Sequence, residues 1–551
     1  MRWFPRALVV WPALFLAVMV AAPVLRLAWE GTALPPGGWV GDDGALATAP
    51  PLPWGTWLAT LWGVWQDDYL RFRLLWSLAQ AGVSTALTLV LGLPVAWVLA
   101  RLDFVGRRWV LRLLMLPFVV PTLVAALGIL ALWGPGGWLS TPLGLSLEDS
   151  PWLLILGNLF FNLCLVVRAV VDGLGQVSAS RLAAARTLGA TPWRAFWRVE
   201  WPAIRLVLAS ALCLVFLYCF SGMGLALVLG GQRWATVEVE IYTLVAHELR
   251  LAEASALALW SMAVGAVLAG GYAVLARRLA QPLRADRVPL RPVTTARQGW
   301  AVGAALTVLG LASVLPLLAS VGHALADVPA LWRVWMAADT WQALANTLRF
   351  SGAALVAATL LGLAQGLAAH HWGTAAPGNG QGMAKRVAVL IQASGFLPFV
   401  ASPVTVAFGL LLLYPDWSAS LVLLVAAYTL LAYPFVAQAV AQGLAALPPA
   451  WAQAAQTLGA SPWRVFVRVT LPLLAPALRR GMAFAAATAL GEFAVSLFLS
   501  RPEWTTLTTL IYQHLGRPGE ANVHAAHALS LLLMALALGV FVFLDKEKPH
   551  A

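Results

Sequence analysis

The sequence predicts an all-α integral membrane protein of about 12 transmembrane helices, arranged as two parallel six-helix repeats. Three observations lead to this prediction: an apolar composition, regularly spaced apolar runs, and one stretch of sequence that occurs twice. Of the 551 residues, 61% are hydrophobic and 11% are charged. Soluble domains carry about 25% charged residues, so a soluble fold of this length would lack polar surface. The composition excludes the soluble, disordered and fibrous classes.

Apolar runs of about 20 residues match the thickness of the hydrocarbon core of a bilayer. The runs lie at 7–28, 74–100, 110–133, 151–170, 205–229, 254–276, 300–321, 349–369, 387–413, 419–436, 481–500 and 523–544. The first run could be a signal peptide, but the many later spans favour a retained first helix. Proline and glycine inside several runs are compatible with membrane helices.

The basic residues lie mainly on one side of this topology. With the N-terminus in the cytoplasm, 26 of the 35 Lys and Arg residues fall on the cytoplasmic side, against 6 of the 23 acidic residues. Cytoplasmic loops of membrane proteins carry an excess of Lys and Arg. We therefore expect both termini in the cytoplasm. The net charge of +12 then reflects sidedness, and no nucleic-acid partner is expected.

One stretch of sequence occurs twice, at 187–202 and 457–472, with 11 of 16 positions identical when 187 is aligned with 457. Each copy lies in a long cytoplasmic loop, the first at about 171–204 and the second at about 437–480. Because six helices separate the copies, both halves have the same orientation, and the pseudo-twofold axis runs along the membrane normal.

The repeat divides the chain into two homologous halves, 1–277 and 299–551, joined by a basic cytoplasmic linker at 278–298. Within each repeated loop, a helical run of small residues ends at a glycine, Gly189 or Gly459. Pro192 and Pro462 suit the first turn of a second short helix, with the preceding Thr or Ser as its N-cap. Two such surfaces related by a twofold axis suit a symmetric pair of partner subunits.

These loops resemble the EAA motif of binding-protein-dependent ABC importer permeases. That motif consists of Glu-Ala-Ala, three residues, Gly, nine residues, Ile, one residue and Leu-Pro. The glycine-to-proline distance matches in both copies, whereas the glutamate is replaced by Ala183 and Gln453. The resemblance assigns coupling to the ATPase subunits to Ala184, Ala185, Gly189, Pro192, Arg194 and Pro202, and to Ala454, Ala455, Gly459, Pro462, Arg464 and Pro472.

The resemblance implies a type I ABC importer (MetI-like) permease fold in a bacterial inner membrane. It implies two copies of an ATP-binding cassette subunit on the cytoplasmic face and a periplasmic substrate-binding protein that delivers a small molecule. ATP would be used by the partner subunit. The chain itself would bind no cofactor or metal and would contain no catalytic residue.

Fusion of two such halves is typical of the thiamine and the ferric-iron permeases of this family. Residues 199–202 and 229–242 look more like the thiamine permease, so thiamine or its phosphates is the expected substrate and ferric iron is the alternative. Glu492 lies well inside a predicted helix, where a carboxylate is costly unless it is paired or faces water. Glu492 either lies on the translocation path, where it attracts a cation, or forms a hydrogen bond that holds two helices together.

Two other classes of protein are weighed against this interpretation. A major-facilitator-type secondary transporter also has twelve helices in two parallel halves. Residues 101–108 partly match its loop signature but lack the leading glycine, and that class leaves the repeated loops unexplained. A membrane enzyme is disfavoured because the sequence contains no phosphate-binding G-x-x-x-x-G-K-S/T loop. ATP hydrolysis is therefore expected on another chain.

Overall fold

The computed structural model describes residues 7–30, 54–145, 147–278, 288–373, 381–417 and 420–545. Nearly all of the regular structure is helical, which confirms the predicted fold class. Two short strands, β1 (Leu102–Asp103) and β2 (Arg291–Pro292), pair in parallel. Part of the predicted linker, 279–287, lies outside the described residues.

The helices fall into two series that correspond to the two halves of the sequence. The first series is α1 (Val10–Glu30), α2 (Trp54–Gln66), α3 (Asp68–Arg101), α4 (Arg107–Val119), α5 (Thr122–Trp133), α6 (Ser140–Leu143), α7 (Pro151–Leu174), α8 (Ala179–Thr187), α9 (Pro192–Ser221), α10 (Met223–Leu229), α11 (Val237–Ala246) and α12 (Leu251–Arg278). The second is α13 (Ala296–Leu325), α14 (Val328–Met336), α15 (Ala338–Gly373), α16 (Gln381–Ser394), α17 (Leu397–Val400), α18 (Pro403–Leu413), α19 (Leu421–Ala446), α20 (Pro449–Thr457), α21 (462–490), α22 (Ala494–Leu499), α23 (Leu507–Leu515) and α24 (Glu520–Leu544). Two short 3₁₀ turns, Pro415–Trp417 and Pro502–Trp504, complete the described helical structure.

Among the described residues, nine helices are long and apolar enough to cross a membrane. The pair α4 and α5, bent by 106°, makes a tenth span. These ten coincide with ten of the predicted runs. The other two runs, 387–413 and 481–500, are each divided between helices, α16 to α18 and α21 to α22.

Several spans that the sequence suggested were continuous are broken, and the breaks repeat between the halves. The run at 205–229 breaks at Gly222, between α9 and α10. The run at 481–500 breaks at 491–493, so Glu492 lies between two helices. The expectation that Glu492 lies well inside a helix is therefore wrong. The register of the repeat aligns Gly222 with Glu492, so the two breaks are equivalent.

The chain divides into two compact units, and neither unit is one half of the sequence. Unit A comprises Gly31–Leu331 and Val523–Leu531. Unit B comprises Met1–Glu30, Trp332–Asn522 and Leu532–Ala551. Helix α1 therefore packs with the second half of the chain, and α13 packs with the first. The two halves exchange their first helices.

Each exchanged helix makes an equivalent close contact. A Cβ atom placed on Gly128 would lie 2.7 Å from the carbonyl oxygen of Pro316, within unit A. One placed on Gly409 would lie 2.8 Å from the Cβ of Pro23, within unit B. Each proline follows a single π-helical turn, as expected where a residue without an N–H displaces the hydrogen-bond ladder. Glycine is required at both contacts because any side chain would hold the backbones apart.

A second repeated contact fixes the helices α11 and α23. The Val237 N–H donates to the hydroxyl of Ser77 at 2.7 Å. The Leu507 N–H donates to the hydroxyl of Thr347 at 2.9 Å. Both pairs are buried, and the register of the repeat aligns one pair with the other. Each hydroxyl satisfies a donor at a helix N-terminus that has no partner inside its own helix.

Two buried asparagines, four residues apart on one face of α7, join this helix to its neighbours. Asn158 donates to the side chains of Gln80 (2.9 Å) and Ser84 (3.2 Å), which lie on α3. Asn162 donates to the Sγ of Cys219 on α9 at 3.3 Å. Both asparagines therefore form hydrogen bonds between helices.

Candidate functional site

The first repeated loop is a helix that ends in a tightly hydrogen-bonded turn. Gly189 has φ +77°, a conformation that L-residues rarely adopt. This turns the chain back onto the helix. The Gly189 N–H donates to the carbonyl oxygen of Arg186 (2.9 Å), and the Ala190 N–H donates to the carbonyl oxygen of Ala185 (3.0 Å). The pattern is a Schellman motif, which satisfies the last carbonyls of α8.

The second loop has the same geometry. Gly459 has φ +80°. Its N–H donates to the carbonyl oxygen of Gln456 at 2.9 Å, and the Ala460 N–H donates to the carbonyl oxygen of Ala455 at 3.1 Å. The prediction that the two glycines end the small-residue helices is confirmed in both halves.

After each glycine, a hydroxyl and a proline start the next helix. Thr191 accepts from the Arg194 N–H at 3.3 Å, and Ser461 accepts from the Arg464 N–H at 3.4 Å. Proline occupies the first turn in each case. The N-cap predictions are confirmed, but the expectation of a second short helix is wrong. The residues from the proline onward are instead the first turn of a long helix, α9 or α21. Each helix then continues without interruption through a π-helical segment.

The apex of each loop is an exposed apolar surface. Leu188 is 87% exposed and Leu458 is 88% exposed. Trp193 and Trp463, one turn further, are 69% and 65% exposed. These four residues lie within the repeated sequence but were not singled out there. Their nearly equal exposure in both halves is a property of the folded structure that the sequence does not reveal.

All twelve predicted coupling residues lie on the exposed or half-exposed side of these loops. The exposed members are Ala184, Gly189, Pro192, Arg194, Pro202, Ala454, Gly459, Pro462, Arg464 and Pro472. Ala185 and Ala455 are half-buried, and their carbonyl oxygens accept the Schellman hydrogen bonds. In contrast, Ala195 and Val465 are buried. Each loop thus has a buried side and an exposed side.

The first loop has an ion pair that the sequence analysis did not identify. Arg101, at the end of α3, places Nη2 2.7 Å and Nε 2.9 Å from Oε1 of Glu200. The two side chains are only 7% and 6% exposed. Glu200 belongs to the π-helical segment Phe196–Glu200. The two residues are 99 positions apart in the sequence. Local sequence patterns do not relate residues at that distance, so the pair is found only in the folded structure.

Glu492 lies in the break between α21 and α22 and is buried. Its carboxylate accepts from the Val495 N–H at 3.0 Å, and its backbone carbonyl accepts from Thr508 at 3.0 Å. One turn further, Ser496 contacts the Tyr428 hydroxyl. Ser496 also lines a cavity of about 460 Å³ within unit B, together with polar side chains such as Asp339. The volume is in the range of small-molecule pockets.

Among the described residues, no group of three or more His, Cys, Asp or Glu side chains is placed to hold a metal ion.

Comparison with known proteins identifies the family to which these features belong. The model of the family described as "Binding-protein-dependent transport system inner membrane component" matches residues 89–281 and 383–545. The two matched segments each contain one of the repeated loops.

Several curated proteins are similar over nearly the whole chain. The thiamine transport system permease protein of Escherichia coli K12 is 29% identical over 525 residues, covering 90% of this chain and 91% of that protein. The protein of the same name from Haemophilus influenzae is 27% identical, covering 88% and 90%. A sulfate transport system permease protein from Synechocystis is 35% identical over 169 residues, which is 30% of this chain and 61% of that protein.

Proposed function

Since this chain belongs to the family of inner membrane components of binding-protein-dependent transport systems, we propose that it couples ATP hydrolysis on two separate subunits to substrate import. The chain is the membrane permease of an ABC importer, and neither the facilitator nor the enzyme alternative is favoured by any comparison. In the proposal, it supplies the path and the two docking loops. ATP is bound and hydrolysed by two copies of a cytoplasmic ATP-binding cassette subunit, and this chain binds no cofactor.

The observation on which the coupling role depends is the pair of matching exposed loops. Each loop presents a leucine, a tryptophan and an arginine, such as Leu188, Trp193 and Arg194, on a rigid backbone. Exposed leucine and tryptophan side chains of this size are typical of protein interfaces. Each loop also continues directly into a membrane-length helix, α9 or α21. A force on either loop would therefore act directly on the helix that follows it, and α9 is long and apolar enough to span the bilayer.

Sidedness follows from the charge distribution. The two loops and the linker hold much of the basic charge, including Arg194 and Arg464. Under the positive-inside rule this side is cytoplasmic, which is where the ATPase subunits would dock. Both termini are then cytoplasmic as well, and a periplasmic binding protein delivers substrate to the opposite face.

We propose thiamine, or a thiamine phosphate, as the substrate. The similarity of nearly the full chain to thiamine permeases from several bacteria supports this. The cavity in unit B has the volume of a small-molecule site, and the buried Glu492 lies one helical turn from its lining residue Ser496. A carboxylate on the path would favour the thiazolium cation of thiamine.

The coupling role is tested in a complex reconstituted with its ATP-binding subunit. We expect Arg194→Glu together with Arg464→Glu to weaken association about tenfold or more at low salt, because exposed charges then repel the partner. The matched control is Arg205→Glu together with Arg479→Glu, which reverses the same number of exposed charges outside the two repeated stretches. Association that persists in the loop variant, or is lost equally in the control, would refute the docking assignment.

The substrate is tested by uptake of labelled thiamine into a deletion strain carrying this chain and its partners. A parallel measurement with ferric iron tests the alternative. Thiamine uptake that depends on ATP and on Glu492 would support the proposal. Iron uptake without thiamine uptake would contradict the substrate but leave the coupling role intact.

A further inference from the structure

Three elements of unit A meet at the end of α3. The side chain of Arg101 forms the buried ion pair with Glu200 of the first loop. The next two residues, Leu102–Asp103, form β1. The Nε of Arg107 donates to the carbonyl oxygen of Leu99 at 2.8 Å and closes the turn back onto the helix. We call this set the Arg101 junction.

The third element of the junction is the linker between the halves. Strand β2 (Arg291–Pro292) pairs with β1, with Leu102 opposite Arg291. Three residues after β2, Thr295 and Gln298 form a capping box that starts α13. Because strand, cap and helix follow one another without a break, the position of α13 is tied to the end of α3.

Among the described residues, the position of the second loop that corresponds to Glu200 cannot form this ion pair. In the register of the repeat, Thr470 occupies the position of Glu200, and His371 occupies that of Arg101. Threonine carries no charge, so an ion pair cannot form there. The two loops have similar exposed residues but differ in the contacts on their buried sides.

We propose that the Arg101–Glu200 ion pair is a positioning element that joins the first loop to both α3 and the linker strand, so that the two docking loops transmit ATPase movement unequally. Movement of the first loop acts on α9 directly and on α3 and α13 through the Arg101 junction. Movement of the second loop acts on α21 without a charged link at the equivalent position. The inference rests on the proposed docking of ATPase subunits at the loops.

The burial of the pair is what makes it a stiff link. An exposed ion pair is worth little because water screens it and the side chains move freely. A buried pair resists separation, since each partner would leave an uncompensated charge in a low-dielectric site. In the same half of the chain, Arg168 and Asp172 form an exposed pair at 2.9 Å, with 46% and 55% exposure. This pair provides a matched control.

The test uses the complete complex in lipid nanodiscs and compares Glu200→Gln, the charge swap Arg101→Glu with Glu200→Arg, and two controls. The controls are Asp172→Asn, for loss of an ion pair as such, and Thr470→Val, for the equivalent position of the second loop. Two quantities are measured: amide hydrogen exchange across 98–106 and 288–294, and ATPase stimulation by binding protein loaded with thiamine. Association with the ATPase subunit is measured separately.

We expect Glu200→Gln to raise exchange in the strand segments about tenfold and to lower stimulation about fivefold, with association changed less than twofold because Glu200 is buried. The charge swap restores part of both quantities, and the two controls stay within twofold of the natural protein. Unchanged exchange and stimulation in Glu200→Gln would overturn the inference. So would an equal loss in Thr470→Val, or a folded charge swap that restores neither quantity.

The outcomes separate this inference from the proposed function. If the ATPase subunit does not bind the loops at all, the proposed function fails, whereas hydrogen exchange still reports whether the ion pair holds the strand segments. If the subunit binds and the two loops respond equally to substitution, the docking role stands and the unequal transmission is refuted.

Discussion

Substitution of the loop glycines by alanine tests whether backbone conformation sets the docking surface. Gly189 and Gly459 have φ +77° and +80°, and a Cβ atom placed on either would meet no atom within 4 Å. The cost of alanine is therefore conformational and not steric. The left-handed region costs an L-residue about 1–2 kcal/mol, and the reduced freedom of the unfolded chain returns about 0.4–1 kcal/mol. The net cost is about 1 kcal/mol for each loop.

A net cost of about 1 kcal/mol lowers the equilibrium constant for forming the docking-competent turn by a factor of about five. We expect Gly459→Ala to weaken binding of the ATPase subunit by up to about fivefold, and the double variant with Gly189→Ala to weaken it by up to about 25-fold if the loops act independently. The assay is titration of the purified ATP-binding subunit onto the permease in nanodiscs. Gly352→Ala is the matched control, because Gly352 lies within α15 and its added Cβ also meets nothing.

Asparagine distinguishes conformation from size. It is larger than alanine but tolerates the left-handed region better, so Gly459→Asn should weaken binding less than Gly459→Ala. If asparagine weakens binding as much as alanine or more, or if Gly352→Ala weakens it equally, the conformational explanation is wrong.

Two further predictions concern a close helix contact and a buried hydrogen bond. Gly362→Ala should destabilise the protein by about 1–3 kcal/mol, because its Cβ would lie 2.8 Å from the Cβ of Val436. Thermal unfolding in detergent should show a lower midpoint for this variant than for Gly352→Ala. Equal midpoints would contradict the packing argument. Removal of the hydroxyl in Ser77→Ala or in Thr347→Val should leave a buried N–H without its acceptor and cost about 1–3 kcal/mol. The two variants should lose similar stability by the same assay, and a loss in only one would show that the repeated contacts are not energetically equivalent.

The loop prediction succeeded because its signal is local. A glycine that ends a helix, followed by a hydroxyl and a proline, determines a Schellman turn and an N-cap within a few residues. Identity at 11 of 16 positions then extends this geometry from one loop to the other. The assignment of the loop residues to coupling remains a prediction, since their positions are observed but their partner is not.

The errors arose where the signal is not local. Hydropathy averages over a window, so a break of one to three residues does not interrupt an apolar run. The breaks at Gly222 and Glu492 were therefore missed, and Glu492 was placed within a helix. Its carboxylate instead accepts a hydrogen bond at the start of α22, from Val495. The translocation role proposed for it now rests on its nearness to a cavity.

Composition, charge and the repeated sequence by themselves determined the membrane class, the fold class and the location of the two loops, because each depends on residue type and spacing along the chain. Only the tertiary structure decided which helices pack together. The exchange of α1 and α13 between the halves depends on contacts such as Gly128 with Pro316, which belong to different halves of the sequence. The Arg101–Glu200 pair likewise depends on two spans returning to the same side. Such contacts are chosen by close packing and by the cost of leaving a buried charge unpaired, and neither quantity can be read from a sequence before the chain is folded.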